Sequence, residues 1–128
     1  VIEKANQTLE FLGLSHLSGE LAGNLSGGQK KLLELGRTMM ADAKLILLDE
    51  PGAGVNPTLM QKIGDMIIDL NQSRGYTFCL IEHDMQLIER LCHRVIVLAE
   101  GRILQEGSME EIRNNSKVVD AYFGSVDS

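Results

Sequence analysis

The sequence predicts an α/β fold with a largely parallel sheet and flanking helices. Three observations carry this. Lys44-Leu45-Ile46-Leu47-Leu48-Asp49 is an apolar run without alternation, as in a strand covered on both faces. Helical periodicity brackets it on both sides, at Leu32, Leu33, Gly36, Met39, Met40 before and Leu59, Ile63, Met66, Ile67, Leu70 after. A second apolar strand, Tyr76 to Glu82, follows the second helix, and strand–helix–strand order favours parallel pairing.

The elements follow in order. Ile2, Ala5, Leu9 and Leu12 recur at helical spacing, and Gly13 can end that helix. Ser15 to Asn24 reads as a connection. Ser26 and Gln29 form an S-x-x-Q capping box at the start of the next helix. After the first strand, Pro51, Gly52 and Gly54 make a loop, and Asn56-Pro57 supplies an N-cap followed by proline at the first helical position. Gly75 follows the end of that helix. Asp84 can cap a short helix running to Cys92, with Ile88 and Leu91 inward. Val95 to Ala99, Glu100-Gly101 and Arg102 to Gln105 read as a hairpin with a tight turn. Ser108 and Glu111 form a second capping box, and Lys117 to Gly124 reads as a last short helix.

Composition bounds the function. The 128 residues carry 44% hydrophobic and 23% charged side chains, the balance of a folded domain. Apolar runs such as Leu45–Leu48 are far shorter than the ~20 residues that span a bilayer. A net charge of −6 argues against a nucleic-acid partner gripped by bulk electrostatics. Cys79 and Cys92, each in apolar surroundings, read as reduced core residues of a cytosolic protein. A start at Val1 rather than Met reads as a piece of something longer.

Two strings carry chemistry. In Leu25-Ser26-Gly27-Gly28-Gln29 the glycines let backbone approach a ligand, while the free N–H groups of a helix start face an anion. The Ser26 hydroxyl can donate as well. Lys30 and Lys31 oppose the dipole preference of a helix start, which suits a site that receives phosphate. In Leu45-Ile46-Leu47-Leu48-Asp49-Glu50-Pro51 two carboxylates stand at the carboxyl end of a strand, where α/β sheets place ligands. Their hard oxygens suit Mg2+.

These strings resemble the ATP-binding domain of ABC transporters. LSGGQ matches the signature motif of that family, and LILLDEP is similar to a Walker B motif with its catalytic glutamate. Gly52-Ala53-Gly54-Val55-Asn56 stands at the D-loop, where the common pattern is Ser-Ala-Leu-Asp. Ala53 for serine and Asn56 for aspartate depart from it. The string Pro-Gly-Ala-Gly-Val-Asn-Pro, and the ending Val119 to Gly124, resemble the ATPases of branched-chain amino acid importers. Leu32 departs from the family too, at a position where many members carry Arg, whereas Arg37 is retained.

The resemblance implies that Asp49 holds the shell of a Mg2+ ion, that Glu50 polarises the attacking water, and that His83 contacts the γ-phosphate as the switch histidine. It implies that Ser26, Gly27, Gly28 and Gln29 bind the ATP of a partner subunit in trans, with Ala53, Gly54, Val55 and Asn56 forming the D-loop. The implied partners are a second ATP-binding subunit and membrane-spanning permease subunits, and the implied place is the cytoplasmic face of the cell membrane. No G-x-x-x-x-G-K-[ST] string occurs, so the chain reads as the carboxyl-terminal half of a P-loop NTPase domain, inactive alone. Its expected parts are the end of the helical signature subdomain (1–41), the Walker B, D-loop and switch-histidine part of the core (42–107) and carboxyl-terminal helices (108–128). A soluble ABC ATPase acting on ribosomes or DNA, or a non-catalytic dimerisation module, are the alternatives.

Overall fold

Local signals set the element boundaries along the chain. A computed structural model describes residues 1–123, and Gly124, expected to close the last helix, lies outside them. The chain divides into two units, Val1–Glu82 and the residues from His83 on.

In the first unit, α1 (Ile2–Leu12) ends at Gly13, whose φ of 70° is the left-handed conformation that glycine adopts without penalty. Two short 3-10 turns, Ser15–Leu17 and Ala22–Asn24, make the connection. The Ser26–Gln29 capping box opens α2 (Gly27–Met40). β1 (Leu45–Asp49) follows. The Asn56 side chain then accepts from the Leu59 amide and caps α3 (Pro57–Arg74), with Pro57 in the first turn and Gly75 in the left-handed conformation beyond the end. β2 (Thr77–Ile81) runs parallel to β1 in the register Leu45↔Thr77 to Asp49↔Ile81.

The core of this unit draws on α1, α2 and α3. Leu12 and Leu70 are fully buried, with Leu32, Leu35, Met39, Ile46, Ile63 and Ile67 nearly so. Each such side chain contributes roughly 1.5–3 kcal/mol. Two glycines permit close helix approach. A Cβ on Gly36 would lie 2.5 Å from Leu12 Cδ1, and one on Gly28 would lie 2.5 Å from Leu59 Cδ2. The first couples α2 to α1, and the second seats the start of α2 on the first turn of α3.

Several faces differ from the sequence reading. Strand side chains alternate, and among the described residues one face of this sheet is covered: Ile46 is buried while Leu45 and Leu47 are 57% and 72% exposed. β2 alternates likewise, which leaves Cys79 exposed rather than in the core. In α2 the buried stripe includes Leu35, while Leu33 and Met40 are half-buried at its edges. Ile2, at the open end of α1, is exposed.

In the second unit, Asp84 accepts from the Gln86 and Leu87 amides and caps α4 (Met85–Leu91). Leu87 is its buried residue, whereas Ile88 and Leu91 are half-buried. β3 (Val95–Ala99) and β4 (Arg102–Gly107) form an antiparallel hairpin. Its turn has positive φ at both Glu100 and Gly101, the handedness that matches strand twist. Parallel pairing is thus confined to β1 and β2 among the described residues, because β3 pairs with the strand its own tight turn delivers. α5 (Met109–Arg113) and α6 (Ser116–Phe123) follow, and Val97, Met109, Ile112 and Val118 make the core.

Two predictions follow from these contacts. Glu111 Oε2 accepts from the Ser108 amide at 2.6 Å, and Ser108 Oγ accepts from the Glu111 amide at 3.2 Å. The bonds from the Ser108 amide and then from its side chain hold the Glu111 carboxyl below its ordinary value of 4.5. A depressed carboxylate stabilises the fold above its unfolded value, and that contribution is lost as pH falls through the folded value. An NMR titration of Glu111 should therefore show a midpoint below 4.5 that Ser108→Ala moves upward; an unshifted midpoint would refute the box. The second concerns Gly28. Gly28→Val should cost roughly 1–3 kcal/mol by overpacking, and Leu59→Ala in that background should restore part of it, read by urea denaturation. Purely additive losses would show that the two residues do not meet.

Candidate functional site

Two clefts of the first unit hold the sequence-predicted residues, and the strand end is the simpler one. β1 delivers Asp49 on the exposed face it shares with Leu45 and Leu47. Asp49 lines a cleft with Lys31, Glu34, Thr38, Pro51 and Ile63. Lys31 Nζ lies 3.1 Å from Glu34 Oε2, so this cation is already paired within α2.

Past Asp49 the backbone turns sharply. Glu50 has a φ of 46°, left-handed for a residue that is neither glycine nor asparagine. Such a conformation costs of order 1–3 kcal/mol and persists only where neighbours hold it. Here the Glu50 amide donates to the Ile81 carbonyl at 2.8 Å and the Ala53 amide to the Glu50 carbonyl at 3.0 Å. The Gly52 amide donates to Glu82 Oε1 at 2.9 Å. Pro51 is buried. Glu50 itself is exposed, one residue beyond the sheet and free of the strand's alternation.

The second cleft lies at the start of α2. Ser26, Gly28 and Gln29 line it together with Asn56, Leu59 and Lys62 of the D-loop and α3. Four amides of a helix start have no partner within the helix. The capping box uses two N–H groups: Ser26 N–H donates to Gln29 Oε1 at 2.9 Å, and Gln29 N–H to Ser26 Oγ at 3.3 Å. Gly27 and Gly28 keep amides without a protein acceptor among the described residues. The Ser26 oxygen accepts, so its proton still has a direction to donate in. Two amides, one hydroxyl and the positive end of a 14-residue helix are groups of the kind that can receive an anion. Gly27 faces open space, whereas Gly28 is held against Leu59.

Asn56 keeps a structural role despite its departure from the family pattern, through a 2.9 Å bond from the Leu59 amide. Ala53 and Gly54 are exposed, Gly54 has a φ of 70°, and the Val55 amide donates to the Gly52 carbonyl at 3.2 Å. His83, in the second unit, is exposed immediately before the Asp84 cap. The structure thus brings Ser26–Gln29 beside Asn56, and Asp49 lines a separate cleft. Glu82 was not legible as a site residue, since it belongs to no motif and its acceptor role appears only once β1 and β2 pair.

The sequence and the fold are similar to those of known proteins. Residues 2–53 match the family model of the ABC transporter domain. The whole chain is 45% identical to a probable branched-chain amino acid transport ATP-binding protein of Archaeoglobus fulgidus, of which it covers 49%. Over 123 residues, 96% of this chain, it is 37% identical to a high-affinity branched-chain amino acid transport ATP-binding protein of Escherichia coli, of which it covers 48%. A solved ATP-binding cassette of an ABC transporter, in its ADP conformation, superposes with a TM-score of 0.86 at 41% identity, over 97% of this chain and 50% of that one. The chain spans about half the length of the curated relatives it matches. Its fold is that of the ABC ATPase domain, and over nearly its whole length the chain is similar to about half of an ATP-binding protein of an ABC transporter.

Proposed function

We propose that the protein carrying this sequence hydrolyses ATP to power an ABC importer of branched-chain amino acids. The observation that supports this most is the pair of separate clefts, a carboxylate strand end and an anion-receiving helix start. Two copies arranged head to tail bring the first cleft of one and the second of the other to the same nucleotide. Ser26, Gly27, Gly28 and Gln29 then receive the phosphates of ATP held by the partner subunit. Hydrolysis requires the pair, and its closure is passed to membrane-spanning permease subunits. The protein works at the cytoplasmic face of the membrane, and among the described residues no helix is long and apolar enough to cross one.

Asp49 and Glu50 offer hard oxygens, and the described residues contain no group of three or more His, Cys, Asp or Glu able to enclose a cation. That donor set fits Mg2+ held by Asp49 largely through water and phosphate. When bound, Mg2+ neutralises charge developing on the phosphates. Glu50, past the strand and held in its left-handed turn, orients and polarises the attacking water, its carboxylate accepting the hydrogen bond. His83 donates to the γ-phosphate. The D-loop residues Ala53, Gly54, Val55 and Asn56 line the subunit contact, where Ala53 lacks a hydroxyl to share and Asn56 is engaged in capping α3.

In the product of the complete reading frame, Glu50→Gln should leave ATP affinity within a fewfold of wild type and cut turnover by ~10²-fold or more, the scale of general-base loss. It should also accumulate an ATP-bound dimer on size exclusion. Asp49→Asn should instead weaken Mg2+-dependent nucleotide binding. Near-normal turnover in Glu50→Gln would remove Glu50 from this role.

A further inference from the structure

Glu82 belongs to none of the strings that mark the family, yet its carboxylate reaches across to the loop that follows Glu50. The Gly52 amide donates to Glu82 Oε1 at 2.9 Å, over a sequence separation of 30 residues. One residue earlier on the same strand end, the Ile81 carbonyl accepts from the Glu50 amide at 2.8 Å. Ile81, the last residue of β2, and Glu82, just past it, therefore fix two alternate amides of the Glu50–Gly52 turn. The turn they fix is the strained one, with Glu50 at a φ of 46°. Glu82 is half-buried, so this bond is partly shielded from water, and its acceptor is charged.

The backbone bond to Ile81 holds the entry to the turn whatever side chain stands there. The bond to Gly52, by contrast, depends on a side chain, and Gly52 lies two residues beyond Glu50. Without it, the segment can relax toward the extended conformation that a residue before proline prefers, which re-aims the Glu50 side chain.

We propose that Glu82 is a positioning residue, whose carboxylate latches Gly52 and thereby keeps Glu50 in its left-handed turn, aimed for the water. The inference rests on the role given to Glu50 above. What the latch requires of residue 82 is an acceptor oxygen rather than a charge, so glutamine should serve and alanine should not.

The test compares Glu82→Ala and Glu82→Gln with wild type in the product of the complete reading frame. Two readouts are taken: amide hydrogen exchange of Gly52, and steady-state ATPase kinetics. Glu82→Ala should speed Gly52 exchange at least tenfold and lower kcat at least tenfold, with KM for ATP changed less than threefold. Glu82→Gln should restore both to within about threefold of wild type. Unchanged Gly52 exchange in Glu82→Ala would overturn the latch. Faster exchange with unchanged kcat would overturn its role in positioning Glu50, as would equal loss in the glutamine variant. If wild type hydrolyses no ATP, the ATPase reading fails by itself, and Gly52 exchange still decides whether the latch exists.

Discussion

The parallel pairing of β1 with β2 is the constraint on which the site depends. Its register runs from Leu45↔Thr77 to Asp49↔Ile81, so both strands end at the same level. A slip of one residue would send Asp49 to the covered face and bring Ile46 into water. With the register fixed, the residues just past β2 stand opposite those just past β1. That is why Ile81 can accept from the Glu50 amide and Glu82 from the Gly52 amide. The unusual backbone at Glu50 follows from these bonds, since an isolated Asp-Glu-Pro segment has no reason to visit a left-handed conformation.

A second dependence ties the helix starts together. The α2 capping box spends the amides of Ser26 and Gln29 and leaves those of Gly27 and Gly28. The α3 cap spends Asn56 Oδ1 on Leu59, the residue whose side chain meets Gly28. Capping thus leaves the Gly27 and Gly28 amides and the Ser26 hydroxyl proton unspent in one five-residue string. Gly28 serves packing, and Gly27 faces open space.

Much of this was legible in the sequence, and the legible part is local. Both capping boxes, the Asn56-Pro57 start, the left-handed Gly13 and Gly75, and the Glu100-Gly101 turn need only neighbours within a few residues. The strand ending at Asp49 was legible because an apolar run ending in two acids has few other readings. What failed depended on distant partners. The apolar character of Leu45, Leu47 and Cys79 could not say which face of the sheet is covered. Glu82 looked like an ordinary acid because its donor is 30 residues away.

The central claim is that the carboxylates past β1 and the glycine amides of α2 serve one nucleotide from two copies of the protein. A crystal structure of the Glu50→Gln form of the complete reading frame with Mg-ATP tests it most directly. The account predicts ATP between two copies, with residue 50 of one copy beside the γ-phosphate and the Ser26 hydroxyl and Gly28 amide of the other within hydrogen-bond reach of the same phosphate. A nucleotide whose phosphates meet neither group, or meet both from a single copy, would contradict it.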